Sequence, residues 1–518
     1  MAEKTETVSS EKTSRSVRVT LRVLAGIERL GNKLPHPFWL FVIMAGIVVV
    51  LSAVLDALGA FAISPTTGER VEITSLLSGE GIQMMIGEAV DNFAAFPPLA
   101  LIIVVMLGVA VAERSGMLSA LLRRTVTRVP PKYLTFALAF TGVCASVLSD
   151  AAYVVLIPLG ALVFKAAGRS PILGTVVAFG SISAGYDASV LVTAGDVLFA
   201  GISTSAADLI EPGYVVNPLA NYFFTAVSAV VLGLVITLVT EFLLTKRTAN
   251  MTVDGDSSDD DLGEMELTAA ERKGLRYAGL VLLGFAVLIA AALIPSGSPF
   301  RGEDGGVLTS PIITGIALVL GLAFLIMGAV YGRVVGTLPK AADIPAAMAT
   351  GVRDLAPVMV LFFAASQFIA YFKWTSMGEV IAVRGADLLG SLGVHPLVML
   401  LGLIAVAAVM NLFITSGSAQ WTLIAPVFVP MFMLLDVPPE TTQAAYRIAD
   451  SATNLISPMS PYFVMALGFL QRYRKNAGIG TLMSLTLPIS IVVLTSWTLL
   501  FVAWWLTGVP LGPGAPVR

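Results

Sequence analysis

The chain of 518 residues is 56% hydrophobic and only 13% charged, whereas soluble proteins carry about 25% charged residues. Uncharged runs of ~18 residues or more recur along it and are typical of membrane-spanning helices, which excludes a soluble globular protein. The net charge of −3, the single cysteine (Cys144) and the two histidines give no reason to expect a nucleic-acid interface, an internal disulfide, a metal site or a cofactor.

The first 30 residues are polar and charged without an apolar core, so no cleavable signal peptide is evident. Each uncharged run that follows can cross a bilayer at a rise of ~1.5 Å per residue. The predicted single spans are Pro37–Leu55, Asn92–Ala112, Pro212–Thr240, Tyr277–Phe300, Gly305–Gly332, Leu355–Phe372 and one span in the uncharged stretch after Lys475.

Two apolar regions do not fit single crossings. Between Lys132 and Lys165 the sequence holds one charge, Asp150, and the run that follows it, 151–164, is too short to span. Residues 388–435 hold no formal charge and would form one helix of ~72 Å, more than twice the hydrocarbon core. We therefore predict re-entrant hairpins near 133–167 and 388–435, with tips at Ser146–Asp150 and within "NLFITSGSAQW". Irregular backbone at membrane depth needs protein or a cavity around it, so both tips should face an internal site.

A span interrupted in its middle follows each hairpin. Residues 171–207 are interrupted at "SAGYDAS", and residues 441–470 are interrupted at "ISPMSP". Broken helices expose unpaired amide and carbonyl groups, which bind substrates and ions near the membrane midplane.

The two halves of the chain show an internal repeat. "SDAAYVVLIP" at 149–158 aligns with "GSAQWTLIAP" at 417–426, and the same offset of 268 places Pro171 on Pro439. The order span, span, hairpin, interrupted span, span occurs twice with opposite direction, which is typical of secondary transporters. We predict an all-α polytopic membrane protein with nine transmembrane helices and two opposed re-entrant hairpins in an inverted-topology repeat. Its predicted segments are an N-terminal segment (1–36), a first repeat (37–245), an acidic loop with a linking helix (246–304), a second repeat (305–506) and an external C-terminal tail (507–518).

The distribution of positive charge predicts the orientation. With a cytoplasmic N-terminus, 25 of the 31 Lys and Arg residues fall on the cytoplasmic side. We expect a multi-pass protein of a bacterial-type inner or plasma membrane with its N-terminus in the cytoplasm. Charge alone does not distinguish a hairpin from a pair of full spans, because both return the chain to the same side.

The candidate functional residues lie at the hairpin tips and helix breaks. Arg447, Asp450 and Asn454 are spaced three and four apart, so they share one helix face that leads into the "SPMSP" break. A charge at mid-bilayer costs ~2.5–3.5 kcal/mol, and a self-neutralising packing pair remains the alternative to a site. The other candidates for substrate binding or ion coupling are Ser416, Gly417, Ser418, Trp421 and Pro458 in the second half, and Asp150, Asp187 and Asp196 in the first.

Chemistry predicts a role for four of these residues. The planar guanidinium of Arg447 suits a substrate carboxylate, and Trp421 either stacks on a flat ring or packs as a core or interfacial residue. Asp450 lies one turn from Arg447 and is expected to stay ionised and orient it. Asp196 has no basic residue close in sequence and is expected to carry the coupling proton.

The segments "MNLFITSGSAQWTLIAPVFVP" and "AYRIADSATNLISPMSPYF", with "AGYDAS…AGD…AGIS", resemble the AbgT family of p-aminobenzoyl-glutamate transporters. The resemblance implies a homodimer that transports p-aminobenzoyl-glutamate, or exports p-aminobenzoate-type compounds and sulfonamide antimetabolites, using the proton or cation gradient. It places functional positions at Asp196, Ser418, Trp421, Arg447, Asp450 and Pro458. The chain departs from the family pattern at Asp187 and Ser189, where a small polar residue and Asn are common, and at Gln420, where Lys is common.

Three other classes stay open at this level. A sodium-coupled carboxylate symporter of similar architecture would need sodium and ignore pH. A channel would show unitary currents. An intramembrane aspartyl protease needs two facing carboxylates, and no partner motif for Asp187 on a second helix is evident, so we expect a transporter rather than an enzyme.

Overall fold

The structure is a computed structural model that describes residues 35–63, 68–127, 129–148, 151–249, 251–254, 266–302, 305–307 and 309–518. Three features predicted from the sequence lie outside these ranges. They are the N-terminal segment up to residue 34, the acidic loop from 255 to 265, and Asp150 at the tip of the first hairpin.

The protein is mainly helical. The first half contains α1 (Pro37–Ala57), α2 (Gly79–Gly87), α3 (Ala89–Ala94), α4 (Pro97–Arg114), α5 (Met117–Thr127), α6 (Leu134–Val143), α7 (Ala151–Ala166), α8 (Pro171–Ala184), α9 (Ala194–Ala207) and α10 (Tyr222–Thr248). The second half contains α11 (Ala269–Leu293), α12 (Pro311–Thr314), α13 (Ile316–Val335), α14 (Asp343–Asp354), α15 (Ala356–Trp374), α16 (Met377–Ser391), α17 (Pro396–Asn411), α18 (Gly417–Met433), α19 (Pro439–Asn454), α20 (Pro461–Tyr473) and α21 (Ile479–Thr507).

The predicted fold class is confirmed. Within the described residues, eight helical stretches are long and apolar enough to cross a membrane, and one of them, 131–148, is the first arm of the first hairpin. The seven others and the two broken spans, α8–α9 and α19–α20, make nine crossings. The first hairpin is α6–α7 and the second is α17–α18.

Some helix boundaries differ from the predicted ones, because a run without charge is not the same as a helix. The second hairpin starts at Pro396 rather than at residue 388, since residues 388–391 end α16, which bends by 120° into α17. Helix α11 starts at Ala269 rather than at Tyr277, because Thr268 and Glu271 form a capping box.

A short β-hairpin is the only β-sheet within the described residues. Strands β1 (Phe61–Ile63) and β2 (Arg70–Glu72) pair antiparallel in the loop after α1. Phe61 and Ile63 in β1 and Val71 in β2 are aromatic or β-branched, the residue types that favour strands.

The predicted repeat is visible in where the helices begin. Helices α7, α8 and α9 start at Ala151, Pro171 and Ala194. Helices α18, α19 and α20 start in the same order and at nearly the same spacing along the second half. Helix α9 packs on α18, and α19 packs on α8, α9 and α17. The broken spans of the two halves and the second hairpin thus meet in the interior.

Candidate functional site

Helix α19 carries a polar face inside the protein. Pro439 begins the helix, where its fixed φ is already helical and its missing N–H is not needed. Glu440, Gln443, Arg447 and Asp450 are each at most 6% exposed and follow a three–four spacing that ends at Asn454. This spacing places them on one side of the helix.

Arg447 pairs with Asp196, which lies on the first broken span. The Nη1 atom of Arg447 is 2.7 Å from Oδ1 of Asp196, and the two side chains are 2% and 11% exposed. The other carboxylate oxygen of Asp196 accepts hydrogen bonds from the Thr193 amide (2.7 Å) and hydroxyl (2.9 Å) at the start of α9. The guanidinium therefore joins the two halves of the repeat.

This pairing corrects two expectations. From the sequence, Asp450 was expected to orient Arg447, and Asp196, with no basic residue close to it in sequence, was expected to carry the coupling proton. The spacing within α19 brings Asp450 near Arg447, but the ion pair forms across the helix interface with Asp196. Sequence proximity does not fix which carboxylate a long arginine side chain reaches.

The guanidinium of Arg447 is not fully satisfied. With the Gln443 amide in the orientation that satisfies its neighbours, Gln443 accepts from Nη2 at 3.1 Å. The Nε atom is buried and has no hydrogen-bond partner among the described residues, while the Phe199 ring lies 5.1 Å from the guanidinium carbon. A buried donor without an acceptor is costly, so Nε is suited to an anionic ligand.

Asp187 and Asp450 face each other. Their carboxyl groups lie in hydrogen-bonding contact, and the Ser451 hydroxyl donates to Oδ2 of Asp187 at 2.9 Å and accepts from its amide at 3.0 Å. Two ionised carboxylates in contact repel each other, so such a pair holds one proton or a cation. No partner motif for Asp187 was evident in the sequence, because the facing carboxylate, Asp450, lies on a helix of the other half of the chain.

No group of three or more His, Cys, Asp or Glu side chains suited to a metal ion occurs in the described ranges.

The tip of the second hairpin lies directly on this cluster. A Cβ atom at Gly417 would come within 2.5 Å of Oδ2 of Asp450, so glycine is needed for the close approach. The Tyr446 hydroxyl donates to the Gly417 carbonyl at 2.7 Å. Ser416 is the N-cap of α18, and its hydroxyl lies 3.4 Å from that of Ser418.

Trp421 is buried in the core rather than displayed at the tip. It is 0% exposed, its ring stacks on Tyr446 at 4.5 Å, and its Nε1 donates to the Ser203 hydroxyl at 3.0 Å. One face of the indole is therefore occupied in this conformation. Stacking of a substrate ring on Trp421, as predicted from the sequence, therefore requires the other face of the indole or a conformation in which Tyr446 has moved.

The end of α19 binds the arm of the second hairpin. Asn454 is the last residue of α19, and its side-chain oxygen accepts from the Asn411 amide at 3.1 Å. Asn411 also donates to the Asp450 carbonyl, and Pro458 lies in the break that follows. Sequence reasoning missed Asn411, although a lone amide in an apolar hairpin arm was a usable signal.

The first hairpin approaches both helix breaks. The Cys144 thiol contacts Ser189 and the Val190 backbone in the first break. Tyr153 stacks on Tyr462, just after the second break, with centroids 4.2 Å apart and rings 4° from parallel.

Buried charges between two broken helices and a hairpin tip, on an inverted repeat, define a membrane protein of the secondary-transporter class. The family model described as "AbgT putative transporter family" matches residues 22–518. The chain belongs to the AbgT family.

Individual proteins support this membership. The chain is 39% identical to the p-aminobenzoyl-glutamate transport protein of Escherichia coli (strain K12), over 94% of this chain and 95% of that protein. It matches the solved YdaH transporter of Alcanivorax borkumensis, described as having an unusual topology, with 42% identity, a TM-score of 0.88 and coverage of 92% and 100%. It also matches MtrF of Neisseria gonorrhoeae, assigned to a class of antimetabolite efflux pumps, with 40% identity, a TM-score of 0.89 and coverage of 96% and 100%.

Proposed function

We propose that this protein is a secondary active transporter of p-aminobenzoyl-glutamate or of related p-aminobenzoate and sulfonamide compounds, driven by the proton or cation gradient. The observation that carries the proposal is Arg447, a buried guanidinium with a free Nε donor beside two helix breaks and a hairpin tip. The relatives described as a p-aminobenzoyl-glutamate transport protein and as an antimetabolite efflux pump support the substrate class.

Arg447 binds the substrate carboxylate in this proposal. Its Nη1 remains on Asp196, and the substrate oxygen accepts from Nε, which removes the cost of the orphan donor. Ser416, Gly417 and Ser418 line the approach from the hairpin tip, and Asn454 and Pro458 line it from the break. Trp421 takes part through its stacking on Tyr446.

The Asp187–Asp450 pair takes the coupling proton. A proton between the two carboxyls allows their contact, and its loss leaves two negative charges that separate. Asp450 lies against the hairpin tip at Gly417, so this separation is transmitted to the hairpin. Asp196 is less suited to the role expected from the sequence, because its carboxylate is already balanced by Arg447. Asp150 remains a further candidate for ion coupling.

We also propose the setting in which the protein works. It forms a homodimer in a bacterial-type inner or plasma membrane. Its N-terminus lies in the cytoplasm, as the distribution of positive charge predicts. Helix α11 packs on α13, but most of its length is exposed, including Leu280, Leu283 and Leu288. Such apolar surface suits lipid or a second copy.

Transport by the purified protein in vesicles tests the proposal. Radiolabelled p-aminobenzoyl-glutamate and p-aminobenzoate are offered under separately imposed proton and sodium gradients. We expect accumulation of at least one compound under the proton gradient. Accumulation that needs sodium and ignores pH would instead indicate the sodium-coupled carboxylate symporter, and unitary currents in planar bilayers would indicate a channel.

A further inference from the structure

Glu440 is a buried carboxylate that the proposed site does not use. It lies in the first turn of α19 and is only 6% exposed. In the proposed orientation this end of α19 is the external end, next to the loop between α9 and α10. The helix dipole stabilises a carboxylate at a helix N-terminus even when the side chain is exposed to solvent. The dipole therefore does not explain why Glu440 is buried, which is rare for glutamate.

The surroundings of Glu440 provide no counter-ion. The Tyr214 hydroxyl lies 3.1 Å from each of its two carboxylate oxygens, and no Lys, Arg or His of the described residues forms an ion pair with it. Tyr214 is the titratable group in contact, and Glu211 is the next charge along that loop. A buried carboxylate without a cation is stabilised by binding a proton.

Glu440 is also connected to the central cluster. The Asn221 side chain donates to the Glu440 carbonyl at 2.9 Å and lies 3.1 Å from the Gln443 amide, which in turn contacts Arg447. Glu440 and Asp450 are separated by about 15 Å along the helix, at its rise of ~1.5 Å per residue. Glu440 is therefore the outermost titratable group of a continuous buried polar face.

We propose that Glu440 is a proton-binding site at the external end of this face, which takes protons from the external solution and delivers them toward Asp187 and Asp450. The carboxylate binds one proton as a neutral carboxyl and returns to the carboxylate when it releases the proton inward. Tyr214 holds the carboxylate in place at the entrance. The inference rests on the proton coupling in the proposed function.

The test compares two readouts on the full chain in vesicles that contain a pH-sensitive dye. Counterflow of radiolabelled p-aminobenzoate without a gradient reports substrate binding and exchange. Substrate-dependent movement of protons reports coupling. For Glu440→Gln we expect proton movement to slow by at least about tenfold, since a proton-transferring group is lost, while counterflow stays close to wild type. Tyr214→Phe should shift proton movement in the same direction by less.

Glu211→Gln is the matched control, because Glu211 is an exposed glutamate of the same external loop. It should leave both readouts unchanged. Wild-type proton movement in Glu440→Gln would overturn the inference, as would an equal loss of both readouts, which would mean a structural role. A wild-type protein that exchanges substrate without moving protons would refute the proton coupling itself, and this site with it.

Discussion

Helices α8 and α19 occupy equivalent places in the two halves, yet their chemistry differs. Both start at a proline, follow a hairpin, end at a break and are buried along almost their whole length. The polar face of α19 consists of Glu440, Gln443, Arg447 and Asp450. At the equivalent positions of the repeat, helix α8 has Ile172, Thr175, Phe179 and Ile182.

The internal repeat specifies the backbone of the two halves but not the distribution of charge between them. The shared prolines, hairpins and breaks set the backbone of both halves. The charge is divided unequally, because the first half contributes Asp187 and Asp196 in and after its break and the second contributes Arg447 and Asp450 before its break. Opposite charges then meet between the halves instead of within one helix.

The largest effect is expected when α19 is given the apolar character of α8. Arg447→Met removes the partner of Asp196 and the proposed carboxylate ligand, so we expect substrate affinity to fall about 1,000-fold. It also leaves Asp196 buried and unpaired, at a cost of about 3–5 kcal/mol in stability. Equilibrium binding and thermal unfolding in detergent measure the two effects.

Phe179→Met is the matched control at the equivalent position of α8. An apolar replacement of similar size should cost less than about 1.5 kcal/mol in stability and leave affinity unchanged. Wild-type affinity in the double variant Arg447→Met with Asp196→Leu would show that the ion pair is structural and would remove Arg447 from the substrate site.

The second prediction concerns the carboxyl pair between the halves. Asp187→Asn keeps an acceptor for Ser451 and a donor for Asp450 but cannot exchange a proton. We expect substrate-dependent proton movement to fall about 100-fold, the scale of a lost acid–base group, with binding retained. Asp196→Asn should mainly weaken binding, because it loses the charge that holds Arg447.

The opposite result would support the assignment of the coupling proton to Asp196, which was made from the sequence. If Asp196→Asn retains binding and loses proton movement while Asp187→Asn behaves as wild type, Asp196 carries the proton.

The contact between the second hairpin and α19 can be tested with one methyl group. Gly417→Ala places a Cβ atom against the Asp450 carboxylate, and displacement of the tip should slow transport about tenfold. Gly402→Ala in the other arm of the same hairpin is the control, because no atom lies within 4 Å of its added Cβ. Equal transport rates of the two variants would mean that the tip adjusts freely.

The smallest effect is expected at Trp421. Trp421→Phe keeps a ring against Tyr446 and loses only the hydrogen bond to Ser203, so affinity should change about threefold. Trp421→Ala should be more damaging, because it opens a cavity in the core. A larger loss in Trp421→Phe than in Trp421→Ala would contradict this account of the indole.

The accessibility of the second hairpin tip can be tested with Ser418→Cys, made in a variant in which Cys144 has been replaced. Ser418→Cys should react with small aqueous reagents and be protected by substrate. If the new cysteine reacts only as slowly as a lipid-facing residue, with and without substrate, the tip does not face the transport site.

The features that depend on local pattern could be predicted from the sequence. Runs without charge located the spans, interruptions such as "SAGYDAS" and "ISPMSP" located the breaks, and the offset of 268 indicated the inverted repeat. The spacing of Arg447, Asp450 and Asn454 also placed them on one helix face. These features follow from helix geometry and from the cost of charge in a membrane, which act over a few residues.

Which side chains contact each other could be seen only in the folded structure. Arg447 pairs with Asp196 and Asp450 contacts Asp187, although the partners of each pair lie in different halves of the chain. Trp421 lies within the predicted tip segment, but it is one turn into α18, and its buried ring is covered by Tyr446. Contacts of this kind depend on how two helices cross and on which rotamers fit between them, and the spacing of residues within one helix does not contain that information.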